Sequence, residues 1–100
     1  MYIAMNRFKI TPGREHDFEA IWRNRETNLG SVPGFIGFHL LKGVKTDTFT
    51  TLASHSTWQS FNDFKSWTTS EAFRESHKDA GQSKEMYLGH PVLEGFEVVL

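Results

Sequence analysis

The chain has no cysteine. Disulfides, thiolate nucleophiles and cysteine-ligated metals are therefore excluded. It has no run of basic residues, and its formal net charge is only −1 with both signs mixed along 100 residues. Nucleic acid and anionic membrane surfaces are poor partners for such a surface. No apolar stretch approaches the length that spans a bilayer. The first ten residues, MYIAMNRFKI, lack the basic region and apolar block of a secretory signal. The expected location is the cytoplasm, with no membrane and no nucleic-acid partner. No P-loop, dinucleotide-binding glycine pattern, HExxH or Gly-x-Ser-x-Gly elbow occurs, so nucleotide binding, zinc hydrolysis and serine hydrolysis lose their usual support.

What the chain does have is aromatic side chains: nine Phe, three Trp and two Tyr. That exceeds what so small a core ordinarily uses. Aromatic groups also line subunit interfaces and pockets for planar ligands. Apolar residues make up 38% and charged residues 23%, the balance of a globular protein. The length suits a single domain over residues 1–100, and a chain this short gains burial from association.

Tyr2 to Ile10 alternates with period two and reads as a strand, with Tyr2, Ala4, Asn6, Phe8 and Ile10 on one face. Asn6 is out of place among apolar neighbours. It is either an edge position or an amide satisfied locally, or else a donor pointing into a pocket. Thr11-Pro12-Gly13 closes the strand, with Thr11 as the expected N-cap of a helix from about Gly13 to Leu29 and Gly30 as its stop. Arg23 and Arg25 near its end complement the helix dipole or pair with an anionic ligand group. Ser31 to Gly34 is a turn. Phe35–Lys42 and Thr48–Thr57 read as a hairpin across a loop at 43–47, and His39 and His55 within it read as packed or interfacial. Leu93 to Leu100 reads as a final strand.

Between these strands lies SFNDFKSWTTSEAFRESH, residues 60–77. Ser60 with Asp63 three residues on is a variant capping box. Phe61, Phe64 and Trp67, with Trp58 just before, form an aromatic stripe, of which Phe61 and Phe64 read as core. Thr68-Thr69-Ser70 ends the helix, because three hydroxyl side chains compete for backbone hydrogen bonds. Ser70 then caps a second short helix on which Phe73 and His77 share a face. The polar residues 78–85 read as a loop. Strand, helix, strand, strand, helix pair, strand is a ferredoxin-like split βαβ arrangement of the α+β class. Its sheet has one face bare, which a second copy can cover.

The Asn in MYIAMNRF, the PG-containing helix start, VPGFIGF and above all FNDFKSWTTSEAFRESHK resemble the IsdG-type haem-degrading monooxygenases, within the antibiotic-biosynthesis-monooxygenase group of dimeric α+β barrels. The resemblance covers nearly the whole chain. It implies a homodimer that binds haem as both cofactor and substrate. With dioxygen and electrons from an external reductase, the enzyme opens the porphyrin at a meso carbon. Iron and a linear tetrapyrrole are released, for iron acquisition. It further implies that His77 is the axial ligand to haem iron, that Trp67 distorts the macrocycle, and that Asn6 donates a hydrogen bond on the distal side. Phe73, Arg23 and Arg25 are the remaining candidate haem contacts. A cofactor-free monooxygenase of a polycyclic aromatic and a non-catalytic haem-binding dimer stay open as alternatives.

Overall fold

The computed structural model describes residues 1–24, 29–70 and 84–100. Six main elements run β1 (Tyr2–Ile10), α1 (Glu15–Asn24), β2 (Phe35–Lys45), β3 (Thr50–Trp58), α2 (Phe61–Thr68) and β4 (Val92–Glu97). Short 3₁₀ turns lie at Leu29–Ser31 and Lys84–Met86. The sheet order is β2-β3-β1-β4, and every neighbouring pair is antiparallel. This is the expected α+β, ferredoxin-like arrangement.

β1 sits between β3 and β4, so its register sets the faces. Ile10 opposes Thr50, Phe8 opposes Leu52, Asn6 opposes Ser54 and Leu93, and Tyr2 opposes Trp58. The even-numbered residues of β1 face the helices. Phe8, Ile10, Leu52, Met86 and Phe18 of α1 form the buried cluster there, with Ile21, Trp22, Leu40 and Tyr87 packed against it. Trp22 stacks on Phe38 at 5.6 Å between ring centroids, which fastens the far end of α1 to β2.

The strands and helices depart from the sequence reading at their ends. β2 runs to Lys45 and β3 starts at Thr50, because the Thr46 hydroxyl accepts from the backbone N–H groups of Thr48 and Phe49 and tightens the hairpin loop. The first helix begins at Glu15, and Thr11 is not its cap. The Thr11 hydroxyl instead donates to the carbonyl of Glu85, and its N–H to that of Met86. The helix start is organised by Glu15, whose carboxylate accepts from the Gly13 N–H at 2.8 Å and from the Thr50 hydroxyl at 2.7 Å. Residues 25–28, the second helix expected after Ser70, and most of the polar 78–85 stretch lie outside the described residues. Phe61, expected in the core, is 45% exposed and packs edge-on against Tyr2.

α2 begins as the sequence indicates. The Ser60 hydroxyl accepts from the Asp63 N–H and donates to the Asp63 carboxylate. Asp63 in turn lies against Gly34 of the Val-Pro-Gly-Phe turn, where φ is +83° and a Cβ would overlap the Asp63 side chain. The Gly34 carbonyl accepts from the Gln59 N–H. The glycine thus serves the turn and the helix start together.

Two outcomes follow from these contacts. Gly34→Ala meets both a left-handed backbone and an occupied space. It is expected to destabilise the protein by about 2 kcal/mol, lowering Tm by roughly 10 °C; an unchanged melt contradicts the packing described. The Glu15 carboxyl is lowered from 4.5 to about 2, first by the Thr50 hydroxyl, then by backbone N–H groups, with a smaller contribution from Lys45. A depressed carboxyl contributes stability that is complete above its unfolded pKa and fades as pH falls toward its folded one. Melting of the parent should therefore decline more steeply than that of Glu15→Gln between about pH 5 and pH 2. Parallel curves would show that Glu15 is not so held.

Candidate functional site

On the helix-facing side of the sheet, two aromatic groups stand apart. One is the core around Phe8, Phe18, Trp22, Phe38 and Tyr87. The other gathers Tyr2, Phe35, Trp58, Phe64 and Trp67 at the opposite end of β1. Between them the sheet carries small side chains. Ala4 lies opposite Ser56 and Gly95, and Asn6 opposite Ser54. Alternation puts all of these on the face shared by the helices. These small residues keep the sheet low between the two groups; over Gly95 the Tyr2 hydroxyl takes the space, and beside Asn6 the small residue is Ser54.

Asn6 is the polar exception in this floor. Its side-chain oxygen is buried and has no hydrogen-bond partner among the described residues. An amide oxygen left so costs about 1–3 kcal/mol relative to a satisfied one. A half-turn of the amide exchanges oxygen for NH₂, so the same position can present either an acceptor or a donor. Of the readings open for Asn6, the edge position is removed, since β1 is flanked on both sides. A side chain satisfied within the described protein is removed for the oxygen.

Trp67 faces the same layer from α2. Its ring lies 5.5 Å from that of Trp58, tilted by 32°. Trp58 is fully buried, and its indole N–H donates to the Ser56 hydroxyl at 3.0 Å. The Ser56 hydroxyl donates in turn to the Ala4 carbonyl at 3.4 Å. Trp67 therefore rests on a second tryptophan that is pinned to the sheet. Tyr2 completes this end. It packs on Phe61 and Phe64, and its hydroxyl lies where a Cβ on Gly95 would be. Asn6 and Trp67 are thus brought to one layer, with Ala4 and Ser56 between their places on the sheet.

The hydroxyl residues after Trp67 act as the sequence suggests. Thr68 donates to the Lys65 carbonyl, Thr69 to that of Ser66 and Ser70 to that of Trp67, closing the helix. Arg23 is exposed on the last turn of α1, beyond Trp22. His77, Phe73 and Arg25 lie outside the described residues. The supporting role of Trp58 was not read from the sequence. Its face is set by strand register, which places it opposite Tyr2 on the helix-facing side.

The family profile described as "Antibiotic biosynthesis monooxygenase" matches residues 1–79. A "Heme-degrading monooxygenase" of Bacillus cereus (strain B4264) is 29% identical over 92 residues, covering 92% of this chain and 85% of that one. Among solved structures, the heme-degrader MhuD from Mycobacterium tuberculosis, with two hemes bound in its active site, superposes with a TM-score of 0.73. It is 27% identical, and the match covers 100% of this chain and 97% of that one. SnoaB, a cofactor-independent oxygenase from Streptomyces nogalater, shares the fold with a TM-score of 0.72 at 16% identity over 99% of this chain and 93% of that one.

The orphaned amide generates its own test. Asn6→Leu replaces an unsatisfied buried polar group by an apolar one of similar size, and should raise the stability of the ligand-free protein by about 1 kcal/mol. A lower Tm in calorimetry would mean that the amide is satisfied in the folded chain.

Proposed function

The chain belongs to the antibiotic biosynthesis monooxygenase family, and on that footing we propose that it is a haem-degrading monooxygenase. The observation that carries the reading is Asn6. A buried polar atom with no partner among the described residues stands on the helix-facing side of the sheet, the side on which Trp67 packs against Trp58. Unpaired buried polar groups in folded proteins call for an explanation, and a ligand is one. The named relatives, which match across most of the chain, indicate which ligand.

Haem, when bound, supplies a redox-active iron and is itself the ring to be opened, with dioxygen and electrons from an external reductant. The protein supports this chemistry by placement. Ser54, beside Asn6 on the sheet, keeps that part of the floor low enough for a flat ring to lie close. Trp67, backed by the buried Trp58, gives a hard edge against which a macrocycle bends; a freely moving side chain would yield instead. Distortion of the macrocycle and hydrogen bonding near the iron are among the means a protein has over haem. Asn6 supplies the hydrogen bond, in a site dry enough for it to count. His77 would hold the haem iron through an imidazole nitrogen, and Phe73 is a further candidate haem contact. Arg23 and Arg25 are the candidate partners for the carboxylates of haem. The products are iron and a linear tetrapyrrole of the biliverdin or oxo-bilirubin type. Their use is iron acquisition.

The working unit is a homodimer. The sheet face away from the helices carries exposed Leu41, Val92 and Phe96, and Ile36 at the irregular start of β2 is exposed as well. A second copy packed sheet to sheet, as a dimeric α+β barrel, would remove that apolar surface from water.

Titration with haem should give a Soret band saturating near one equivalent per chain, and the band should decay when ascorbate and oxygen are supplied. His77→Ala should bind haem at least tenfold more weakly or lose the decay; parent-like behaviour removes His77 as ligand. Trp67→Ala should keep binding while its decay rate drops at least tenfold, and an unchanged rate would remove ring distortion from the mechanism.

A further inference from the structure

The sheet face turned away from the helices holds a second cluster of ligating side chains, and it does not depend on the haem reading. His39 of β2 is in register with His55 of β3, and His55 is in register with Met5 of β1. Odd-numbered residues of β1 point away from the helices, so the three side chains form one row across three adjacent strands. The row continues to Glu94 of β4, opposite Met5. The Glu94 carboxylate is occupied by the Arg7 guanidinium at 2.7 Å, which leaves the imidazoles and the thioether as the open donors.

The two imidazole centroids are 6.3 Å apart with the rings tilted by 53°. An ion about 2 Å from one nitrogen of each ring spans centroids up to about 6.4 Å apart when the two bonds are collinear. A bent ligand angle draws the rings closer. His39 is exposed, which leaves room for that movement, while His55 is half-buried and opposite Met5 in register. We propose that His39 and His55, with Met5 alongside, form a transition-metal site on the outer face of the sheet, with copper as the preferred ion.

The donor types set the metal class. Two imidazoles suit copper, zinc and nickel, and a thioether adds preference for cuprous ion; calcium and magnesium need oxygen donors that the row does not offer. Among divalent ions copper binds such nitrogen donors most strongly. Two or three ligands from one chain leave coordination positions free. In the proposed sheet-to-sheet pairing this row faces the partner, and the same pair from the second copy can occupy them.

Haem-free protein is titrated with copper(II) chloride against a chromophoric chelator, and substoichiometric copper is read by electron paramagnetic resonance. The expected result is one ion per chain or per two chains, with a spectrum of imidazole nitrogen ligation. His39→Ala and His55→Ala should each weaken binding at least tenfold, and His16→Ala, on the exposed side of α1, should not. Met5→Leu should weaken binding of copper reduced with ascorbate more than that of copper(II). His55→Gln, with folding checked by circular dichroism, covers the case in which His55→Ala fails to fold. Parent-like affinity in the His39 and His55 variants overturns the site, as does loss of binding in His77→Ala instead. A failure here leaves the haem assay unaffected, since that assay reads residues on the opposite face.

Discussion

The pairing of β1 between β3 and β4 is the constraint on which the rest depends. Side chains alternate along a strand, so the register decides at once which residues meet the helices and which meet the outside. In the observed register the even positions deliver Phe8 and Ile10 to the core, Asn6 to the candidate site, and Tyr2 to the aromatic group under α2. The odd positions deliver Met5 to the histidine row and Arg7 to Glu94. A slip of one residue would bury Arg7 and Lys9 and expose the core. The penalty for burying unpaired charge therefore guards both faces together.

The candidate site is built from two kinds of surface. The sheet gives a low floor whose hydrogen-bonded strands cannot easily move. α2 gives a wall whose position is set at its first turn by Ser60, Asp63 and Gly34, and along its length by Trp58. The helix buries none of its residues fully. Its placement accordingly rests on the cap and on aromatic contacts with Tyr2 and Trp58 more than on a core of its own. The burden of rigidity passes to Trp58, which is fully buried and hydrogen-bonded to the sheet.

Local signals were legible wherever the deciding interaction spans a few residues. The Ser60 cap and the halt at Thr68-Thr69-Ser70 both occur as read, since each is a hydroxyl acting on backbone within four positions. The cap expected at Thr11 failed for the complementary reason. Its hydroxyl found a partner seventy-four residues away at Glu85, and the helix start was taken by Glu15, whose own partner Thr50 is thirty-five residues on. Phe61 reads as core by periodicity, yet it packs on Tyr2 at the first residue of β1 and stays exposed. For the site, Asn6 was conspicuous in the sequence as a polar residue in an apolar pattern, while the support of Trp67 by Trp58 was not.

By itself, the amino-acid sequence determined the order of strands and helices, the two faces of β1, the start and end of α2, and the likeness to a family of monooxygenases. These follow from periodicity, capping chemistry and local motifs, all short-range in the chain. Only the tertiary structure decided that the Asn6 oxygen is buried without a partner among the described residues, that Trp67 stands on Trp58, and that His39, His55 and Met5 fall in one row. Each of those depends on strand register and helix docking between segments far apart in sequence. Such pairings are selected by burial of the whole core and leave no mark at any one position.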